Sequence, residues 1–149
     1  MAADRIEREI IVEAAQDRVW AVLTEAGHVA KWFGDSARLD LTPGGQAAFG
    51  WSQYGGTYHA VIERVEPPGF FSYRWARPAG EPVTPGNSTL VEFTLTAASP
   101  GSTRLRVVET GFTGLDISDE EQGTAVKENI EGWLAELGEL KDYAELSGS

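Results

Sequence analysis

The pattern that most limits how this chain can fold lies in its last quarter. Apolar residues recur there at Val126, Ile130, Trp133, Leu137, Leu140 and Ala144, in alternating steps of four and three. That spacing puts one apolar stripe along one side of a helix. Just upstream, Ser118 and Glu121 have capping-box spacing: the serine hydroxyl accepts from the Glu121 amide while the Glu121 carboxylate reaches back. Together they predict a C-terminal helix of about seven turns. Its stripe must lie on another layer, and burying five large side chains contributes roughly 8–15 kcal/mol gross, before conformational entropy is subtracted. Gly123, Gly132 and Gly138 interrupt the pattern, each costing about 1 kcal/mol relative to alanine. Gly132, beside Trp133, suggests a close approach to another element.

The layer beneath has to be a sheet. "RIEREIIVEA" (5–14) reads as a strand, and a run of alternating segments follows the first forty residues. "ARLDL" leads into the turn "TPGG"; "QAAFGW" follows, and Gly55–Gly56 marks a reversal. "TYHAVIERVE" alternates, with Thr57, His59, Val61, Glu63 and Val65 taken as the inward set. "PPG" turns the chain into "FFSYRWA", which puts Phe71, Tyr73 and Trp75 on one side. After a proline- and glycine-rich loop, "TLVEFTLT" and "TRLRVVET" form a hairpin across "SPGS". Their inward residues are Val91, Phe93 and Leu95, then Thr103, Leu105, Val107 and Glu109.

Between the first strand and this β region sit two short helices. Val19, Trp20 and Leu23 share helical spacing over 17–24. Gly27 is expected to interrupt, and a second helix over 28–33 should stop at Gly34. Strands joined by short turns pair antiparallel. The expected architecture is therefore α+β: a curved, antiparallel seven-stranded sheet with two short helices after strand 1 and the long helix across its concave face, a helix-grip arrangement. The chain reads as a single domain over 1–149, with its core at about 5–146. A gap between helix and sheet would be the place for a ligand.

Composition removes several function classes. The chain has no cysteine, which excludes a disulfide framework, a thiolate metal site and a cysteine nucleophile. A net charge of −11 repels phosphate backbones, so nucleic acid is not expected as a partner. From Asp116 onward ten acids face only Lys127 and Lys141, which reads as a solvated acidic face or a docking surface. The first ten residues hold no apolar run of the secretory kind, and no segment approaches about 18 consecutive apolar residues. A cytoplasmic location without a membrane span is the expectation.

In order and spacing, "VEAAQDRVWAVLTEAGHVAKWF", "PGGQAAFGW", "AVIERVEPPGFFSYRW", "STLVEFTL", "TRLRVVETGF" and "EGWLAELGEL" resemble the SRPBCC (START-like) superfamily. Within it the chain is most similar to the family named for the C-terminal domain of the activator of the heat-shock-protein-ninety ATPase. The resemblance spans Arg5 to about Leu146. It implies an antiparallel sheet gripping a long helix around a hydrophobic cavity, and no catalytic motif comes with it. The superfamily includes lipid and hormone carriers, polyketide cyclase-like enzymes and co-chaperones. A hydrophobic small molecule is thus the expected partner, with a chaperone in a stress-response setting or a homodimer as alternatives and no cofactor.

The candidate site follows from the aromatic residues, because tryptophan and tyrosine offer an apolar body with one polar tip. Trp51, Tyr54, Tyr58, Tyr73, Trp75 and Trp133 join Trp20 and Trp32. Trp20 and Phe71 read as core. The expected ligand contacts are Trp32, Phe33, Trp51, Tyr73 and Trp75, together with Phe93, Glu109, Trp133 and Leu137. Of the two tryptophans that bracket the short helices, Trp32 is the one expected to touch a ligand. An inward carboxylate must be paired, hydrogen-bonded or protonated. Glu63 and Glu109 are therefore candidates for a general base, and His59 for an acid–base partner of Glu63; a structural ion pair and a solvent-facing histidine are the alternatives. Neither His28 nor His59 has metal-ligand spacing, so no metal site is expected.

Overall fold

Strand β1 (Arg5–Val12) leads into helices α1 (Gln16–Thr24) and α2 (Ala26–Trp32). Strands β2 (Ser36–Leu39), β3 (Gln46–Trp51), β4 (Gly56–Glu66), β5 (Phe70–Ala76), β6 (Ser88–Ser99) and β7 (Ser102–Thr110) follow. A 3-10 turn (Phe112–Gly114) then leads to the long helix α3 (Asp119–Leu146). This computed structural model describes residues 4–52 and 56–146; Tyr54 and the Gly55 half of the expected reversal lie outside them.

The seven strands form one curved antiparallel sheet in the order β1-β7-β6-β5-β4-β3-β2. From β2 to β7 it is a meander of neighbouring strands joined by turns. The exception is β1, which pairs with β7 from Arg5 opposite Thr110 to Val12 opposite Thr103. The two short helices therefore carry the chain from one edge of the sheet to the other. The break between them is at Glu25, which is extended (φ −88°, ψ 126°), and not at Gly27, which lies inside α2. Gly34 does end the excursion. Its φ of +71° favours glycine, and a Cβ built there would stand 2.3 Å from the Gly50 carbonyl oxygen.

Helix α3 begins at the expected cap: the Glu121 amide donates to Ser118 Oγ at 3.1 Å and the Ser118 amide to Glu121 Oε1 at 3.4 Å. Its 28 residues span about 42 Å. Val126, Trp133, Leu137, Leu140 and Ala144 are buried and Ile130 packs beside them, so the stripe is the face laid on the sheet. Both ends are fastened. Gln122 Nε2 donates to the carbonyls of Thr113 and Leu115 at 3.2 and 3.0 Å. At the other end Lys141 Nζ donates to the Ile11 carbonyl at 2.8 Å, and Tyr143 Oη lies 2.7 Å from His28 Nδ1. The close approach expected at Gly132 is absent: nothing stands within 4 Å of a Cβ built there, and the residue faces solvent.

Candidate functional site

The charged group at the centre of the molecule is Glu109, near the end of β7. The inward parity of that strand aims it at α3, and its exposure is 0%. Four side chains, from two strands and the helix, hold its carboxylate. Trp75 Nε1 (β5) donates to Oε2 at 2.9 Å and Thr89 Oγ1 (β6) to the same oxygen at 2.6 Å. From α3, Trp133 Nε1 donates to Oε1 at 2.8 Å and Asn129 Nδ2 to both oxygens at 3.0 Å. Hydrogen bonding of this density is what allows a carboxylate to be buried at all. All four donors are neutral, and both oxygens are occupied.

Aromatic rings surround this carboxylate. Phe33, just after α2, stacks on Trp133 (10° between planes) and on Trp75 (29°), each at 5.6 Å. It also meets Trp51 edge-on at 4.9 Å. Phe93 stands edge-on to Trp133 at 5.7 Å, and Trp51 to Tyr58 at 5.5 Å. Phe33 and Trp133 are buried, whereas Trp51, Tyr58 and Trp75 are half-buried, so the cluster reaches solvent along that rim. Farther in, Trp32, Phe33, Tyr73 and Phe93, with Leu23 and Phe49, border a residual space of about 10 Å³. That volume is about the minimum for one water molecule. Where an open gap was expected, side chains fill the space between helix and sheet.

The expected contacts thus divide. Trp51, Trp75, Glu109 and Trp133 come together with Phe33 at the carboxylate. Trp32, Tyr73 and Phe93 line the inner space, and Leu137 is buried core. Trp32 is fully enclosed, and its indole donates to the Val22 carbonyl at 2.8 Å, tying α2 to α1. Trp20, expected as core, lies edge-on to Phe71 at 6.3 Å. Tyr73 has its phenol pushed well above the usual range, first by burial and then by the charge of Glu109.

The reading of β4 needs correction. Ala60 and Ile62 are buried and Tyr58 belongs to the aromatic cluster, so the even-numbered set faces inward as far as Ile62; beyond the irregularity Val65 packs against the core as expected and Arg64 is exposed. His59 and Val61 face the other way. Glu63, at an irregularity in the pairing with β5 between Ile62 and Arg64, has a side chain 45% exposed and lies 3.7 Å from Arg74 Nε. Strict alternation left both faces of this strand plausible, because each carries β-branched or aromatic residues.

Three contributors went unnoticed in the sequence: Thr89, Asn129 and Glu136. Asn129 lies one turn before Trp133, so helical spacing could have placed it on the same face. Glu136 has no such signal. It sits half-buried on α3 with Oε2 enclosed and without a hydrogen-bond partner among the described residues. Burial, and then the charge of Glu139, push its carboxyl up to about 7; the Gly34 amide and the Trp51 indole hold part of that rise back.

The outer face of α3 carries Asp119, Glu120, Glu131, Glu139 and Asp142, all exposed. Leu134 stands among them at 58% exposure. Among the described residues no His, Asp and Glu side chains cluster as a metal site would need, and no helix is long and apolar enough to cross a membrane.

Residues 13–145 match the family model described as activator of Hsp90 ATPase homolog 1-like protein. Among solved structures, MLL2253 from Mesorhizobium loti has a TM-score of 0.79 at 21% identity, over 96% of this chain and 98% of that one. DynU16, a protein in the dynemicin biosynthetic locus, has 0.77 at 25% identity, over 98% of this chain and 49% of that one. The Aha1 dimer from Colwellia psychrerythraea has 0.77 at 18%, over 99% and 100%. The likenesses at 21% and 18% identity speak to fold. A comparison with curated proteins returns no match.

Proposed function

The chain belongs to the activator of Hsp90 ATPase homolog 1-like family, and on that footing we propose that it is a non-catalytic protein that binds a small hydrophobic or aromatic molecule beneath α3. The observation that carries this reading is the continuous aromatic cluster that runs from the half-buried rim of Trp51, Tyr58 and Trp75 to a buried polar anchor at Glu109. Apolar walls with a few convergent polar groups are what small-molecule sites are built from. The residual space of about 10 Å³ means that a ligand enters by displacing rings, and the half-buried rim rings are the ones with somewhere to go. The acid–base alternative draws little support: Glu63 faces outward beside Arg74, and both oxygens of Glu109 are taken.

Native mass spectrometry of freshly purified protein, followed by thermal-shift screening with acyl and aromatic compounds, tests the proposal. The expected result is a bound mass released on denaturation, a raised Tm and a change in tryptophan fluorescence. Absence of any bound species, with no shift across the panel, would refute it.

A second reading rests on the family's own description and on the acidic outer face of α3: the domain stimulates a chaperone ATPase through that face. Glu131→Lys with Asp142→Lys, both exposed, should weaken stimulation of an Hsp90-type ATPase several-fold. No stimulation by the parent at high concentration removes this reading.

A further inference from the structure

The closed core contains a carboxylate at zero exposure whose partners among the described residues are all neutral. Among the described residues no lysine, arginine or histidine forms an ion pair with Glu109; the ion pairs present all lie at the surface or on the outer faces of the elements. Four neutral donors satisfy its lone pairs but supply no countercharge. The rings placed around it add to the same preference, since a cation is drawn to the faces of Trp and Phe rings. Phe33 lies 5.6 Å from both Trp133 and Trp75, which are themselves 6.1 Å apart, and both indoles point their N–H edges at the carboxylate. The net charge of −11 biases approach toward cations in addition.

The four donors are not equally placed. Thr89 and Trp133 are buried, whereas Trp75 and Asn129 are half-buried and mark the side on which the carboxylate lies nearest solvent. Asn129 gives one amide nitrogen to both oxygens at 3.0 Å, the position a single ammonium would occupy. An ammonium there forms charge-assisted hydrogen bonds, roughly twice as strong as the neutral ones they replace.

Resting on the ligand-binding reading above, we propose that the ligand of this site is a cationic amine carried on an aromatic body, its ammonium taking the place of the Asn129 amide at Glu109 and its ring lying against Trp75 and Phe33. No bond is made or broken.

The test uses three probes with the same body: phenethylamine, 2-phenylethanol and 3-phenylpropionate, titrated into the full chain at neutral pH by calorimetry and tryptophan fluorescence. Phenethylamine should bind about tenfold or more tighter than the alcohol, with the carboxylate weakest. Glu109→Gln should reduce the amine to the level of the alcohol. Because that variant removes a buried anchor and can fail to fold, Asn129→Ala is the companion: it removes the competing donor, leaves Glu109 in place and should widen the amine's advantage several-fold. An alcohol or carboxylate that binds as tightly as the amine overturns the cationic preference and leaves the ligand-binding reading standing. If none of the three binds saturably the cationic proposal is also overturned, and the wider reading is then judged by co-purified mass, which does not depend on charge.

Discussion

Glu136 offers the sharpest test of the packing around α3. Its carboxyl is raised from an ordinary 4.5 to about 7, first by burial and then by Glu139. Between those two values the unfolded chain has lost the proton and the folded chain keeps it. Stability contributed by this group is therefore intact below pH 4.5, declines as pH rises, and is fully lost above about 7. At about 1.4 kcal/mol for each pH unit, the span corresponds to no more than about 3.4 kcal/mol. The side chain is only half-buried, and solvent screening reduces this to about 1–2 kcal/mol. Glu136→Gln removes the titration while keeping an oxygen for the Gly34 amide and the Trp51 indole. The variant should match the parent near pH 4 and exceed it by about 1–2 kcal/mol at pH 8, read from urea denaturation at intervals between. In a Glu139→Gln background the gain should shrink, because part of the rise is removed. A difference that does not change with pH, or a variant less stable at pH 8, would refute the reasoning.

Three further expectations follow from local geometry. Gly132→Ala and Gly138→Ala add a methyl that meets nothing within 4 Å on an exposed helix face, so each should stabilise by about 0.5–1 kcal/mol in denaturant melts. Gly34→Ala should cost at least about 2 kcal/mol, because a left-handed φ and a Cβ 2.3 Å from the Gly50 carbonyl oxygen oppose it together; a near-neutral result would contradict the chain path between α2 and β2. Trp133→Phe keeps most of the buried ring but deletes the indole donor to Glu109 Oε1. It should cost about 1–3 kcal/mol, and an unchanged midpoint would mean that the carboxylate is not held as described.

Much of this molecule is legible one element at a time. The stripe from Val126 to Ala144, the Ser118 cap, the β6–β7 hairpin and the Gly34 stop are each written within a few residues, because helical and strand periodicity and φ preference are local properties. Their order implied a sheet with a helix across it, and the inward position of Glu109 followed from alternation along an unbroken strand. Alternation failed on β4. There both residue sets are compatible with burial, and an irregularity beside Glu63 lets the strand change phase. The break at Glu25 was missed for a related reason: a non-glycine residue ended a helix by adopting an extended conformation.

Which side chains meet Glu109 was beyond the sequence. Trp75, Thr89 and the α3 pair Asn129 and Trp133 come from three elements far apart in the chain, and only the sheet register and the position of α3 bring their donors to one carboxylate. Whether the space under the helix is open or filled is likewise a tertiary matter, since it depends on distances of a few ångströms between layers and on the rotamers of rings such as Phe33. The sequence determined that a helix must cover a sheet lined with aromatic residues, because apolar periodicity demands a partner surface. Only the folded structure decided that those rings close on one another around a buried charge, because close packing is settled between residues far apart in the chain.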